Sequence, residues 1–374
     1  MITDSPHLYR RAGIAAGHSP DLIERAIEHA SLVESRGLEA VLSLKHLAHL
    51  TGVQRSYLRS IVARQTDPYE EYTLQGRRVI SSPHPPLLAV HRWMLANILN
   101  QVPAHSASYA YERRKSIVKC ATRHVGARWA VKLDLHNFFG SVDETMVYRV
   151  FCGLGYQNLV SFELARLCTR PGIGASHKDQ YRSDSGSEKY RVIYSYSNSR
   201  RLGFLPQGSP TSGALANLVM RDVDIMLCDL AKQRRLTYTR YADDMTFSSI
   251  DEFHRKNVAS LIREVAHLMN SRGFVLHKQK TRIVTPGSRM IVLGLLVDGQ
   301  RVRLPVDSRK RILENIRGVE KFGLADHVKH RKYASMIGFV EHMEGLLAFS
   351  YDVDREWTKP IWERWSKALQ RSGI

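Results

Sequence analysis

Between Leu236 and Ser248 the chain reads Leu-Thr-Tyr-Thr-Arg-Tyr-Ala-Asp-Asp-Met-Thr-Phe-Ser, two runs of strand-forming residues meeting at two adjacent carboxylates, Asp243 and Asp244. Aromatic and β-branched residues on both sides predict a hairpin with the acids at its tip. Asp is a common turn former, so an ordinary hairpin is one reading. A plain two-residue hairpin would more naturally carry Asn-Gly or Asp-Gly. Two neighbouring carboxylates at a tip repel each other unless a cation neutralises them, so the segment suits metal binding better than plain turning.

A second acid stands at the end of an apolar run: Trp129-Ala-Val-Lys-Leu-Asp134, followed by Leu135, His136, Asn137 and the aromatics Phe138 and Phe139. An Asp closing a buried strand is costly unless it is paired or bound to a metal. A strand-end Asp converging with a two-Asp hairpin makes a ligand set for two hard divalent cations such as Mg²⁺, which takes its remaining ligands from water and phosphate. Two such ions suit in-line phosphoryl transfer.

A third segment, Gly203-Phe-Leu-Pro-Gln207-Gly208-Ser-Pro-Thr-Ser-Gly-Ala214, opens a helical run over Leu215–Leu230. A loop of this kind can set backbone amides and a side-chain amide against a nucleotide. It is equally the ordinary way to start a helix.

Charge narrows the partners. There are 55 Lys and Arg against 36 Asp and Glu, a formal net charge of +19, which points to a polyanion and most simply to nucleic acid. With 43% hydrophobic and 24% charged residues the chain has a globular rather than a disordered composition. No apolar run approaches a membrane span and Met1–Arg10 lacks the order of a signal peptide, so a cytoplasmic protein with no membrane partner is expected. The cysteines Cys120, Cys152, Cys168 and Cys228 are widely spaced and read as reduced thiols.

Along the chain, Leu22, Ile23, Ala26, Ile27, Ala30 and Val33 recur at helical spacing. Leu38–Leu50 and Gln54–Arg64, split at Thr51-Gly52, have the outline of a helix-turn-helix, a pattern shared by many helical hairpins. A Pro-rich stretch, Ser81–Pro86, precedes the helical Leu87–Leu99. The polar stretch Gly172–Ser199 reads as a long exposed loop or insertion, open to use as a docking surface or to none. From Leu293 a β-rich piece leads into a helical C-terminal region beginning at Ser308. Strands interleaved with helices give an α+β class.

In this order and spacing the acidic and Gly-rich segments resemble motifs A, B and C of reverse transcriptases. Tyr241-Ala242-Asp243-Asp244 is similar to the YxDD box, Asp134 to the motif A aspartate, and Leu205-Pro206-Gln207-Gly208 to motif B, over a resemblance running from about Arg77 to about Pro305. The resemblance implies a right-hand polymerase: an N-terminal helical extension (1–75), fingers (76–130), a palm whose antiparallel sheet carries the YADD hairpin (131–304, with fingers elements and a polar insertion near 172–199) and a helical thumb (305–374).

It also implies roles. Asp134 and Asp243 would ligate two catalytic Mg²⁺ ions, with Asp244 beside them and the Leu135 carbonyl completing a shell. Phe139, five residues after Asp134, falls where the family places an aromatic steric gate that selects deoxynucleotides. RNA-dependent RNA polymerases of similar fold usually carry Asp there and Gly-Asp-Asp in motif C. Gln207 and Gly208 would border the dNTP and template base. Gly273-Phe-Val-Leu-His277-Lys-Gln-Lys280-Thr281 resembles motif D, with His277 where Asn is frequent, and Lys280 would face the triphosphate. Tyr111-Glu-Arg-Arg114-Lys115-Ser-Ile117 resembles the basic fingers strand that covers the triphosphate.

Two elements resemble the retron branch. Cys120-Ala-Thr-Arg-His124 is similar to its NAxxH element, with Cys120 for Asn, and Val292-Leu293-Gly294 to its VTG triplet, with Leu293 for Thr. Packing roles for His124 and Gly294 are the plainer alternatives. About 70 residues follow Pro305, enough for a thumb and too few for an RNase H domain. A retron enzyme would copy a cognate structured non-coding RNA from an internal guanosine 2′-OH, yielding branched, RNA-linked single-stranded DNA. A host RNase H would remove the template, and a separate effector protein would act with the enzyme in antiphage defence. His124 and the basic thumb residues Arg309, Lys310, Arg311 and Arg317 are the expected RNA contacts, phosphate-directed in the thumb. Another bacterial defence or abortive-infection reverse transcriptase, and a non-catalytic nucleic-acid-binding scaffold, remain open on sequence.

Overall fold

The computed structural model describes residues 5–74, 78–171 and 202–372. The expected polar insertion near 172–199 lies outside the described residues. Helices α1 (Pro6–Ala15), α2 (Pro20–Glu34), α3 (Leu44–Thr51) and α4 (Arg55–Val62) come first. Ser19 caps α2 through Leu22 N–H, and the helix buries Ile23, Ile27, Ala30 and Val33 on one stripe. The helix expected from Leu38 begins only at Leu44. Ser43 accepts from His46 N–H at 3.1 Å and so caps α3 there. Gly52, at φ +70°, ends α3.

Strands β1 (Tyr69–Leu74) and β2 (Arg78–Pro83) form an antiparallel hairpin in register Tyr69↔Pro83. Pro85 then opens α5 (Pro85–Asn97), and α6 (Ile117–Thr122) follows the basic segment. That segment is not the strand expected of it. It is a turn with Tyr111 and Arg114 at φ +57° and +63°, closed by the Ser116 cap of α6. Two left-handed residues cannot continue a β ladder.

The chain next runs through β3 (Trp129–Asp134), α7 (Phe138–Ser141), α8 (Glu144–Leu154) and α9 (Asn158–Cys168). Strands β4 (Arg170–Pro171) and β5 (Gly203–Phe204) pair antiparallel. The run expected as one helix over 215–230 is two, α10 (Ser212–Val219) and α11 (Arg221–Gln233), meeting at Met220. Then come β6 (Thr237–Tyr241), β7 (Asp244–Ser249), α12 (Arg255–Ser271) and β8 (Arg282–Val284). β6, β7, β3 and β8 lie side by side in that order, every neighbour antiparallel, as expected of a palm. β3 is buried along almost its whole length because helices cover the sheet.

The short hairpin β9 (Ile291–Val292) and β10 (Leu295–Leu296) turns on Leu293 and Gly294, at φ +48° and +81°. Gly294 is therefore a turn residue rather than an ordinary strand glycine. Helices α13 (Val306–Phe322), α14 (Leu324–His330), α15 (Met336–Val353) and α16 (Arg355–Arg371) close the chain.

Among the described residues the apolar side chains gather into three cores. One runs from Ala30 to Leu276 and joins the N-terminal helices to the sheet. A second lies within the last four helices around Phe339, Met343 and Trp365, and the third lies around Val292, Leu295 and Val297. Gly318 lets α13 pass close to α14: a Cβ there would fall 2.1 Å from Nδ1 of His327. The result is an α+β right-hand polymerase fold with a palm sheet and a helical C-terminal unit. No helix among the described residues is long and apolar enough to cross a membrane.

Candidate active site

Asp134 ends β3 and stands directly opposite Asp244, the first residue of β7. Because Tyr241 pairs with Asp244, Ala242 and Asp243 form the whole turn, and Leu135 N–H donates to the Asp243 carbonyl at 3.2 Å. Strand register alone thus brings the three predicted acids to one end of the sheet. Ala242 sits at φ +56°, a conformation an alanine adopts only when its surroundings impose it.

The imposing group is Arg240. Its guanidinium is fully buried and ion-paired with the equally buried Asp224 on α11, Nη2 to Oδ2 at 2.7 Å. Nη1 donates to the Ala242 carbonyl at 3.0 Å and to Asn217 Oδ1 at 3.1 Å, and Tyr238 donates to Asp224 at 2.8 Å. The network holds the Arg240 guanidinium in place, and its Nη1 in turn holds the Ala242 carbonyl of the turn. Arg240, Asp224 and Asn217 were not singled out from sequence. The usable signal was an acid, Asp224, sharing the apolar stripe of α11 with Leu227 and Ala231, and an arginine inside a strand bound for the core.

On the other side of Asp134, His277 N–H donates to the Asp134 carbonyl at 2.7 Å and His136 N–H to the Val275 carbonyl at 2.8 Å. The following single 3₁₀ turn, Lys278–Lys280, delivers the Lys280 ammonium to 3.0 Å from Asp134 Oδ1. Lys280, expected to face the triphosphate, is here ion-paired with Asp134, and His277 takes part in the bridge beside Leu135 and Leu276. Asp244, at the exposed start of its strand, still feels the crowding. Loss of surrounding water and the charges of Asp243 and Asp134 push its carboxyl up to about 6, against the pull of Lys280 and Lys132.

Among the described residues no three His, Cys, Asp or Glu side chains close into a metal cage. The acidic side chains that share this end of the sheet are Asp134, Asp243 and Asp244. Their mutual repulsion is the electrostatic demand a hard divalent cation would meet, and the ammonium on Asp134 already meets part of it.

Phe138 and Phe139 diverge at the start of α7. Phe138 is buried and packs on Phe274, whereas Phe139 is half-buried with Tyr111 edge-on at 5.9 Å between ring centroids. The Gln207–Gly208 loop docks on β2. Ser81 N–H donates to the Gln207 carbonyl at 2.7 Å, and a Cβ on Gly208 would fall 2.9 Å from the Ser81 carbonyl oxygen. Ser209 bonds the buried His91 at 2.9 Å, fixing the loop from beneath.

Two placements differ from expectation. The Lys115 ammonium, expected at the triphosphate, donates to the carbonyls of Ser108 at 2.5 Å and His105 at 3.2 Å, clamping its own loop, while neighbouring Arg114 is exposed. His124 does not lie on a surface that RNA reaches. Its ring is 1% exposed, with Nδ1 at 2.7 Å from Ser248 Oγ and Nε2 at 2.7 Å from Thr239 Oγ1. Cys120, one helical turn earlier, also bonds Thr239, so this element braces the β6–β7 hairpin. In the C-terminal helices Lys310, Arg311 and Arg317 are exposed, whereas Arg309 is drawn in to Asp354 at 2.8 Å and over Trp357.

The profile of the reverse transcriptase (RNA-dependent DNA polymerase) family matches residues 72–311. Retron Ec86 reverse transcriptase of Escherichia coli is 29% identical over 324 residues, spanning 85% of this chain and 87% of that protein. Retron Mx162 reverse transcriptase of Myxococcus xanthus is 32% identical over 307 residues, 77% of this chain and 61% of that one. The chain belongs to the retron-type reverse transcriptases. Among solved structures, telomerase from Candida albicans in complex with a fragment of telomeric RNA aligns over 81% of this chain and 56% of that one, at 12% identity and a TM-score of 0.42. This retron-type reverse transcriptase is an RNA-directed DNA polymerase, and the segments resembling its motifs A and C meet at the end of the palm sheet that carries Asp134, Asp243 and Asp244.

Proposed function

We propose that this reverse transcriptase copies a cognate structured non-coding RNA into single-stranded DNA that stays joined to the RNA at the 2′-OH of an internal guanosine. The observation that carries the polymerising site is the register of Asp134 opposite Asp244, with Asp243 in the intervening turn. Asp134, Asp243 and Asp244, with the Leu135 carbonyl, would hold two Mg²⁺ ions, which when bound supply Lewis-acid stabilisation of the attacking and leaving oxygens.

The chain's own residues orient the rest. Phe139 stands at the sugar of the incoming dNTP and excludes a ribose 2′-OH. Gln207 and Gly208, fixed on β2, border the nucleotide and the template base. In each step the primer hydroxyl gives up its proton to solvent, its oxygen bonds the α-phosphorus, the α–β phosphoanhydride bond breaks and pyrophosphate leaves. Lys280, released from Asp134, offsets the charge that grows on the leaving pyrophosphate. Arg114, exposed like Arg113 on the loop after Tyr111, is the basic group of that segment we assign to the triphosphate.

We assign residues 305–374 as the thumb, and Lys310, Arg311 and Arg317 as contacts to RNA phosphates, with Arg309 holding the helix against Asp354. The template would be removed by a host RNase H, and the RNA–DNA complex would act in the cytoplasm with a separate effector protein in antiphage defence. Debranching of the nucleic acid bound to the protein tests this reading. A discrete single-stranded DNA whose gel mobility shifts after cleavage of the 2′–5′ linkage supports it. DNA without that shift favours a protein-primed or otherwise unbranched defence polymerase.

A further inference from the structure

Tyr111 is an aromatic residue at φ +57° with 54% of its surface exposed. Positive φ is a genuine outlier for a bulky side chain and persists only where neighbours over-determine it. They do so here. Asn217 Nδ2 donates to the Ala110 carbonyl at 2.7 Å, and Glu112 accepts from Ala104 N–H at 2.9 Å. The Lys115 ammonium clamps the carbonyls of residues 105 and 108, and Lys119 donates to the Arg114 carbonyl. The backbone on both sides of Tyr111 is thus held independently of its ring.

That conformation sets the ring between two parts of the nucleotide site. It meets Phe139 edge-on, at 5.9 Å and 62°, and it lies over Gly213 in the first turn of α10. A Cβ on Gly213 would fall 2.4 Å from Cγ of Tyr111, so only glycine leaves room for the ring. Asn217, which holds Ala110, also accepts from Arg240, the residue that fixes the catalytic turn. A ring that served only as core filling would be buried and would not require a left-handed backbone.

We propose that Tyr111 is a positioning residue for sugar selection, holding the Phe139 ring where it meets the 2′ position of the incoming nucleotide. The inference rests on the reading of Phe139 as the steric gate.

The test is the ratio of kcat/KM for a dNTP to that for the matching rNTP on one primer–template, measured for the full chain and four variants. Tyr111→Ala is expected to lower the ratio by about three- to tenfold, the range an edge-to-face aromatic pair supports. Tyr111→Phe, which keeps the ring, retains the wild-type ratio. Gly213→Ala, whose methyl displaces the ring, lowers the ratio as Tyr111→Ala does, and it carries the test should Tyr111→Ala fail to fold. Equal loss with both sugars in Tyr111→Ala and Gly213→Ala would overturn the proposal and leave Tyr111 a purely structural residue. Phe139→Val separates the two layers. If it leaves the ratio unchanged, the gate reading fails and this inference with it. If it collapses the ratio while the Tyr111 and Gly213 variants do not, this inference alone fails.

Discussion

The Lys280 ammonium lies 3.0 Å from Oδ1 of Asp134, the carboxylate that ends the central palm strand. Asp134 is largely buried, while Lys280 keeps 55% of its side chain exposed, so the lysine can leave without exposing a core. The pair neutralises one of three crowded acids and competes with a cation for the same oxygen. Lys280→Met should therefore lower the Mg²⁺ concentration needed to raise the melting temperature. It should also slow incorporation by about 10²-fold, the size of losing one preorganised charge at a leaving group. A weaker Mg²⁺ response in the variant would contradict the competition.

The Arg240–Asp224 pair is the strut behind the catalytic turn. Replacing Asp224 with Ala strands a fully buried guanidinium, and such losses cost about 3–5 kcal/mol. Chemical denaturation of Asp224→Ala should show a loss of that order. A loss below about 1 kcal/mol, the scale of an exposed pair, would mean the strut is dispensable.

His91 and His124 are buried among neutral partners, and burial lowers both to about 4 from the ordinary 6.5. The folded state refuses protons that the unfolded chain accepts below pH 6.5. The stability they contribute is thus present above that pH and is lost as pH falls from 6.5 toward 4. For each histidine the loss by pH 5 is about 2 kcal/mol. Denaturation at pH 7 and pH 5 checks this: His124→Gln should lose less on acidification than the parent chain, and an equal loss would contradict the assignment.

Lys310, Arg311 and Arg317 are exposed on α13 and are assigned to phosphates. Each single change to Ala should weaken binding of the cognate RNA and reduce the slope of log affinity against log salt by about 1. An unchanged slope would remove that residue from the interface. Arg309→Ala should act instead through stability, since its guanidinium is engaged by Asp354 and Trp357.

Much of the site was legible in the sequence because strand chemistry is local. Aromatic and β-branched residues around Tyr238 and Phe247 mark β6 and β7, and an Asp at the end of an apolar run marks β3, so the shared sheet end of the three acids follows from strand register. Features that depended on distant contacts were not legible. The basic segment at 111–117 reads as a strand, but Lys115 turns back onto carbonyls of its own loop, which bends it. His124 reads as an RNA contact from motif position, yet Thr239 and Ser248 on the adjacent hairpin claim both ring nitrogens. Arg240 and Asp224 are ordinary charges until the fold buries them together.

Whether the YADD turn polymerises is read from incorporation of dNTPs on an RNA template by Asp243→Asn alongside RNA binding by the same protein. Incorporation should fall by about 10³-fold or more while RNA affinity and melting temperature stay at the parent values. Incorporation that survives the substitution, or that falls only in step with RNA binding, would contradict the assignment of the YADD turn as the polymerising centre.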